Sequence, residues 1–205
     1  MARDLSPITK QSRREGYALH PKAHRIMMRR TAMPGQKANT RRPPKPSQYS
    51  IQLREKQKVR RLYGLLEKPF RNLMKESARQ AGPTGENLLR MLELRLDNVV
   101  YRAGLANSRR ASRQLVTHGH FMKNGVRVDI PSIQVKPGDE IVLRDKSKTN
   151  EYFKHLDELV DAATPVPDWL KVDRKKFAIT VTGLPKREDA EPEINEQLIV
   201  EYYSR

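Results

Sequence analysis

The sequence predicts an α+β protein: a mostly helical discontinuous domain, an inserted module of two short helices and a small antiparallel sheet, and an extended basic N-terminal arm. Apolar residues three or four positions apart over 47–117 predict the helices, because such residues share one helix face. An Asn-Gly pair inside 121–128 predicts a hairpin, since a type I′ turn requires positive φ at both central positions. A basic stretch over 1–46 with 6 of the 14 prolines predicts the arm.

The composition divides the chain into four segments. We expect a basic N-terminal extension over 1–46 and a helical domain over 47–93, which a returning C-terminal helix over 193–205 completes. We expect the helix-pair and hairpin module over 94–149 and a peripheral acidic segment of that module over 150–192.

Charge separates these segments. The 205 residues carry 41 Lys and Arg against 24 Asp and Glu, a net charge of +17. Residues 1–46 carry 12 basic and 2 acidic side chains, whereas 150–205 carry 8 and 12. Such a cationic excess repels itself in a compact state unless a polyanion neutralises it, and nucleic acid is the commonest polyanion. The alternative, an acidic membrane surface, would require a basic helix with an aromatic apolar face, and only 6% of residues are aromatic.

Several classes of protein are excluded by residues that the sequence lacks. Without cysteine there is no disulfide, cysteine-ligated zinc, iron–sulfur cluster or thiol nucleophile. The sequence has no phosphate-binding loop, dinucleotide-binding loop, metalloprotease or serine-hydrolase motif. His20 and His24 have helical spacing, but no further ligand lies near them. We therefore expect no enzyme activity, metal, other cofactor or small-molecule substrate. No stretch approaches the roughly 18 apolar residues of a membrane span, and no leader is visible, so we expect a cytoplasmic protein.

The N-terminal segment leaves two alternatives open. Pro43, Pro44 and Pro46 form a short extended link between basic residues. The segment is either a disordered basic tail or an arm that becomes ordered on RNA. In the second case phosphates would be bound by Arg13, Arg14, Arg29, Arg30, Arg41 and Arg42.

Three helices are predicted over 47–93. The first runs from about Tyr49 to Tyr63 and ends at Gly64, a residue typical of helix C-termini. Its buried face should comprise Ile51, Val59, Leu62 and Tyr63, and its remaining surface Arg54, Lys56, Lys58, Arg60 and Arg61. The second helix should cover 65–81. The third should begin at a Thr84 N-cap and bury Leu88, Leu89 and Leu92.

The inserted module carries the most informative basic cluster. A helical piece should cover 94–101, and Ser108 should cap a second helix that runs to Thr117. The buried side of this pair should comprise Leu105, Ala111, Leu115 and Val116. Its other side carries Arg102, Arg109, Arg110 and Arg113 with no balancing acidic residues, and a planar guanidinium suits phosphate. A hairpin and a short strand over 140–143 should follow.

The last segment has weaker patterns. A loose helix is expected near 152–163, a strand over 177–181 and an acidic loop over 188–193. In the final helix, Ile194, Leu198 and Tyr202 have the spacing of a face that packs on a core.

A helix pair with a basic second member also fits a DNA-binding helix-turn-helix regulator, which normally binds as a dimer. The basic charge extends over three segments, however, and no dimerisation zipper is visible. A folded RNA with several helices meeting at a junction fits such a broad surface better, because its shape, phosphates and 2′-hydroxyls would be recognised.

Several stretches resemble one family, that of bacterial small-subunit ribosomal protein four. The resemblance is carried by RLDNVVYRAGLANSRRASRQLVTHGHFMKNG (95–125), YSIQLREKQKVRRLYG (49–64), TGENLL (84–89), SRREG (12–16) and EINEQLIVEYYSR (193–205). The module alone also occurs in pseudouridine synthases and tyrosyl-tRNA synthetases, but an rRNA-modifying enzyme would need a catalytic domain that this length does not accommodate. Relatives with a zinc-binding cysteine cluster differ from this chain, which resembles the zinc-free form.

The resemblance implies a structural component of the small ribosomal subunit. It implies a primary rRNA-binding protein that binds a helix junction in the 5′ domain and nucleates assembly. It also implies a role in translational accuracy with small-subunit protein five, and a contribution to the channel through which mRNA enters. For that channel we expect Lys37, Arg41, Arg42 and Lys45. For rRNA we expect Arg3, Arg13, Arg14, Arg41, Arg42, Tyr49, Arg54, Lys56, Lys58, Arg60, Arg61, Arg95, Arg102, Arg109, Arg110, Arg113, Gln114, His118, His120, Lys123 and Asn124.

Overall fold

A computed structural model describes residues 4–30, 32–35, 45–160 and 165–204. The chain forms two compact units. Unit 1 comprises the chain up to Leu88 together with the chain from Glu191 onward, and unit 2 is the continuous stretch Leu89–Ala190. The structure thus groups the N-terminal helices with the helical domain, and the acidic segment with the module.

The elements are as follows in chain order. The helices are α1 (Ile8–Glu15), α2 (Pro21–Arg29), α3 (Gln48–Leu62), α4 (Glu67–Ser77), α5 (Thr84–Glu93), α6 (Leu96–Arg102), α7 (Arg109–Thr117), α8 (Asp145–Lys148), α9 (Glu151–Lys154), α10 (Leu156–Leu159) and α11 (Glu196–Tyr203). The strands are β1 (Phe121–Lys123), β2 (Val126–Val128), β3 (Glu140–Leu143), β4 (Leu170–Asp173) and β5 (Ala178–Val181).

The prediction of an extended arm is wrong for residues 8–29, which form α1 and α2. Helix α1 ends at Gly16, whose φ of 65° is readily adopted only by glycine. The imidazole of His20 accepts a hydrogen bond from the Lys22 amide and so caps α2. Helix α1 packs against both α2 and α3. This segment has too few apolar side chains to show a helical pattern in its sequence. Its helices are stabilised instead by packing on other elements.

Helix α3 is the element on which unit 1 is built. Ser47 caps its N-terminus, and Gly64, with φ 66°, follows its C-terminus as predicted. Val59 and Leu62 are buried as predicted, but Ile51 lies near the solvent, 38% exposed. Helix α11 packs on α3.

The predicted face of the C-terminal helix is confirmed in part. Ile194, just before α11, is buried as predicted, whereas Leu198 and Tyr202 are half-buried and the fully buried side chain within the helix is Ile199. Gly85 explains how closely α11 approaches, since a Cβ at this position would lie 2.6 Å from Cγ of Glu196.

Helices α4 and α5 differ from their predictions at their ends. Helix α4 stops at Ser77 rather than at 81. Beyond the helix, the Asn87 amide donates hydrogen bonds to the carbonyls of Ser77, Gln80 and Ala81, and these bonds hold the chain there. Thr84 is the first helical residue rather than the N-cap. Leu88, Leu89 and Leu92 are buried as predicted.

Unit 2 contains the helix pair α6 and α7 and one antiparallel sheet in the order β2-β1-β3-β5-β4. The predicted hairpin is confirmed, with φ of 49° at Asn124 and 79° at Gly125 between paired strands. The sheet has two more strands than 94–149 alone could supply, because β4 and β5 pair with each other and β5 pairs with β3. The α+β class is confirmed.

Between β3 and β4 the loose helix is replaced by three single turns, α8 to α10. Residues 161–163 of that prediction lie outside the described residues. Phe153 and Leu156 enter the core of unit 2. That core includes Val116 of α7, Phe121 of β1 and Ile141 of β3, which are fully buried. The sheet and the helix pair therefore share one hydrophobic core.

Candidate nucleic-acid interface

Helix α7 exposes its polar side to solvent because its apolar side packs into the core. The hydroxyl of Ser108 accepts from the Ala111 amide and caps the helix as predicted. Leu115 and Val116 are buried, and Arg110 and Gln114 on the opposite side are exposed. The helix thus holds a charged and a polar side chain at fixed positions facing solvent.

Asp97, the second residue of α6, binds two of the predicted arginines. Its carboxylate accepts from Arg95 at Nε (3.0 Å) and at a terminal nitrogen (2.7 Å), and from Arg113 at 3.3 Å. The Arg113 side chain is 20% exposed. Arg95, which was expected to contact RNA, is only 3% exposed. Arg95 is the counter-ion of a buried carboxylate and not part of the surface.

Glu93, the last residue of α5, orders the neighbouring arginines. Its two carboxylate oxygens accept from Arg102 at 3.0 and 2.9 Å. It also accepts from the Asn98 amide nitrogen at 2.7 Å, and the Asn98 amide oxygen accepts from Nε of Arg109 at 2.9 Å. The Arg109 guanidinium lies over the ring of Tyr101 at 4.6 Å, a cation–π geometry.

The predicted residues of the hairpin are held by Asp139. Its carboxylate pairs with Lys123 at 2.8 Å and accepts from the Asn124 amide at 2.8 Å. Burial alone would raise the pKa of Asp139, but hydrogen bonds from Lys123, the Lys136 amide and Asn124 outweigh it and hold that pKa below its ordinary 3.8. The hairpin therefore has a defined position beside the strand that follows it.

The two predicted histidines differ in environment. His118 is exposed, whereas His120 is half-buried with Nδ1 3.0 Å from the Ser147 hydroxyl. Burial, His118 and Arg144 lower the pKa of His120 below its ordinary 6.5. The neutral imidazole of His120 is therefore favoured over the charged form.

Most predicted cations of α3 are used inside unit 1. Arg54 and Arg61 both pair with the buried carboxylate of Glu15 in α1. Lys56 pairs with Glu67 at 2.9 Å, lies over the ring of Tyr202 at 4.6 Å and is only 3% exposed. The outward position expected for Lys56 is therefore wrong.

The remaining predicted residues of unit 1 lie nearer the surface. Lys58 pairs with Glu55 and donates to the Glu193 carbonyl, while Arg60 donates to Gln57. Tyr49 is about half-exposed, with its ring 5.8 Å from that of Tyr202.

The N-terminal cations divide between described and undescribed residues. Arg13 donates two hydrogen bonds to the Ala32 carbonyl, at 3.0 and 2.7 Å, while Arg14 and Lys45 are exposed. Outside the described residues lie Arg3, Lys37, Arg41 and Arg42.

The sequence patterns did not reveal the buried partners Glu93, Asp97 and Asn98. The signal that could have found them is the pair of acidic residues flanking Arg95 where two helices meet, since charges that interrupt an apolar pattern are usually paired when buried. Arg127 of β2 is a further cation of the hairpin. It lies so close to Gly119 that a Cβ there would be 2.7 Å from its Nε.

Within the described ranges, no group of His, Asp or Glu could hold a metal ion. None of the described helices is long and apolar enough to cross a bilayer. The fold and this cationic surface, with arginines displayed on a helix pair beside a hairpin, are those of a nucleic-acid-binding class of protein.

Comparison with known proteins gives the family. Residues 3–93 match the profile described as Ribosomal protein S4/S9 N-terminal domain, and residues 94–141 match the S4 domain. Small ribosomal subunit protein uS4 of Chlorobaculum tepidum is 50% identical over 210 residues, and that of Desulforamulus reducens is 51% identical over 212, each with full coverage of both chains. The uS4 protein of Chloroflexus aurantiacus is 48% identical over 206 residues, again with full coverage. The chain belongs to the uS4 family of small ribosomal subunit proteins, a structural and not an enzymatic family.

Proposed function

We propose that the protein is an rRNA-binding structural component of the small ribosomal subunit, acting in the cytoplasm, and that α6, α7 and the β1–β2 hairpin form its main RNA contact. The single observation that carries this is the set of arginines along α6 and α7, oriented by buried partners beside the exposed Arg110 and Gln114. The match of residues 94–141 to the S4 domain supports it. A guanidinium held in a fixed position can donate two parallel hydrogen bonds to a phosphate. RNA helices are recognised largely by their shape, and the helix pair is short enough to follow that shape.

The proposed RNA surface differs from the surface expected from the sequence. In unit 2 it comprises Arg102, Arg109, Arg110, Arg113, Gln114, His118, His120, Lys123 and Asn124. In unit 1 it comprises Arg13, Arg14, Tyr49, Arg54, Lys58, Arg60 and Arg61. Lys56 and Arg95 are left out because each is buried against a carboxylate. Arg3, Arg41 and Arg42 stay in the proposal on the basis of the resemblance alone.

We further propose the finer role that the resemblance implies. The protein binds a helix junction in the 5′ domain early, nucleates assembly, and supports translational accuracy together with protein five. The acidic balance of 150–205 supports a basic protein neighbour there. Lys37, Arg41, Arg42 and Lys45 contribute to the channel through which mRNA enters.

We also propose that functional domains follow the predicted division. Residues 94–149 make up the RNA-contacting part of unit 2, and 150–192 its peripheral part. Residues 47–93 with 193–205 form the helical domain. The packing of α11 on α3 supports that last pairing.

The RNA contact is tested with Arg110→Ala combined with Arg113→Ala. Affinity for a 5′-domain rRNA fragment that contains the junction should fall at least tenfold, and the slope of log K against log salt should become shallower by about two, one per lost phosphate contact. Filter binding across a salt series measures both quantities.

The matched control removes the same charge elsewhere in unit 2. Lys175→Ala with Lys176→Ala, both exposed between β4 and β5, should change affinity much less. Equal losses in the two double variants would contradict a contact at α7, because charge alone would then explain binding. Duplex DNA at the same salt is the competitor that separates this function from that of a DNA regulator.

A further inference from the structure

Three polar side chains are almost completely buried directly beneath the proposed RNA surface. Glu93, Asp97 and Asn98 are 0%, 4% and 2% exposed. Two of them are carboxylates, which repel phosphate and are costly to bury. Their presence under an RNA-binding surface requires an explanation beyond stability, because apolar residues of similar volume are often equally stable.

Asp97 is itself rigidly held. Both of its oxygens are bound by the buried fork of Arg95, and its amide donates to the Pro131 carbonyl. The oxygen Oδ2 that accepts from Arg95 also accepts from a terminal nitrogen of Arg113. An acceptor that cannot move thus fixes one edge of a partly exposed arginine on α7.

Glu93 contacts one arginine directly and a second one through Asn98. Its two carboxylate oxygens accept hydrogen bonds from Nε and from a terminal nitrogen of Arg102. Oε2 also accepts one from the Asn98 amide. That hydrogen bond fixes which way the Asn98 amide points, so its oxygen faces Nε of Arg109. The Arg109 guanidinium also lies over the ring of Tyr101, which gives it a second contact.

The physical gain is order before binding. A guanidinium has five donors in one rigid plane, so a partner on one edge determines the direction of the other edges. The rotamer entropy of the three arginines is lost when the protein folds and not when RNA binds. Four arginines against two carboxylates leave this cluster cationic.

We propose that Glu93, Asp97 and Asn98 are positioning residues for RNA binding, which hold Arg102, Arg109 and Arg113 in fixed planes that match phosphate oxygens. This inference rests on the proposed function. It predicts that binding depends on the geometry of these arginines and not only on their charge.

The first experiment compares Arg113→Lys with Arg110→Lys on the same 5′-domain rRNA fragment. Both variants keep the charge on α7, but Arg110 is exposed and, unlike Arg113, is not held by Asp97. Arg113→Lys should lose about tenfold in affinity, because a lysine has no planar guanidinium that Asp97 can orient toward phosphate, whereas Arg110→Lys should lose only about threefold, the cost of exchanging one RNA-contacting arginine that no buried carboxylate orients. The salt slope should stay unchanged in both. Equal affinities for the two variants would overturn the proposal.

The second experiment is a double-mutant cycle of Asp97→Asn with Arg113→Lys, measured as RNA affinity below the unfolding midpoint of every variant. Asp97→Asn should weaken binding in the wild-type background and have much less effect beside Arg113→Lys, because the residue it positions is already lost. Additive effects would assign Asp97 a purely structural role. A gain in affinity would mean that the carboxylate competes with RNA, and either result overturns the proposal. If Asp97→Asn does not fold, the lysine pair decides alone.

The double variant Arg110→Ala with Arg113→Ala distinguishes failure of this inference from failure of the proposed function on which it rests. If that variant binds RNA like the wild type, the proposed function itself fails. If it loses affinity while the two lysine variants behave alike, only the positioning role fails.

Discussion

The two units use cationic residues in opposite ways. In unit 1, Arg54 and Arg61 of α3 pair with Glu15 of α1, 39 and 46 positions earlier in the chain. In unit 2, the carboxylates that bind Arg102 and Arg113 lie only 9 and 16 positions away. The cations of α3 hold a segment distant in sequence, whereas Arg102 and Arg113 pair with carboxylates in the short stretch 93–97 just before or within α6.

The comparison shows that a basic helix pattern does not by itself define a binding surface. Both α3 and α7 are rich in Lys and Arg, but Lys56 is buried in unit 1 while Arg110 is exposed in unit 2. What decides the outcome is whether a carboxylate from another element reaches the cation, because a buried charge must be paired. Three variants break or sharpen this contrast.

Asp97→Ala should have the largest effect on stability. It leaves Arg95, 3% exposed, as an uncompensated buried charge, which typically costs about 3–5 kcal/mol. Urea unfolding followed by circular dichroism should therefore show the loss of unit 2. Asp145→Ala is the control, because this carboxylate lies on an exposed turn, and the unfolding midpoint should not move. Similar midpoints for the two variants would contradict the buried role of Asp97.

Glu15→Ala should have a smaller and local effect. Arg54 and Arg61 are partly exposed and can turn to water, so the loss should be about 1–3 kcal/mol and confined to the attachment of α1. Hydrogen exchange should accelerate in α1 while α3 stays protected. Glu76→Ala removes a solvent-exposed pair with Arg79 and is the matched control. Loss of protection throughout α3 would show that the fastening is not local.

Asp139→Asn should have the smallest effect, and that effect should depend on pH. Because its folded pKa lies below 3.8, ionised Asp139 stabilises unit 2 above that pH, and the stabilisation disappears as pH falls through the folded pKa. The wild type should exceed the variant by about 1 kcal/mol near neutral pH and by nothing near pH 2. Urea unfolding at several pH values measures this difference. Asp129→Asn, an exposed site after β2, is the control, and a difference that persists in acid would exclude the carboxylate as its source.

Local patterns predicted the helix pair and hairpin closely. Ser108 caps α7 and Asn124 with Gly125 makes the turn, because caps and turns depend on a few adjacent residues. The exact match of the strand over 140–143 has the same origin. Signals of this kind survive in any tertiary context.

Long-range pairing could not be predicted in the same way. Helices α1 and α2 have little apolar periodicity of their own, and β4 is recognisable only once β5 pairs with it. Likewise, nothing near Lys56 in sequence reveals that Tyr202 will lie 4.6 Å from its ammonium. Which cations remain exposed is therefore a property of the folded chain, and the sequence alone could not separate the buried Lys56 and Arg95 from the others.

The return of α11 to α3 has a consequence for the growing chain on the ribosome that makes it. Translation proceeds from the N-terminus, so all of unit 2 is synthesised before the residues from Glu191 onward. Until then unit 1 lacks Ile199, a fully buried side chain of the helix that packs on α3. Unit 1 can therefore close only after unit 2 has been made.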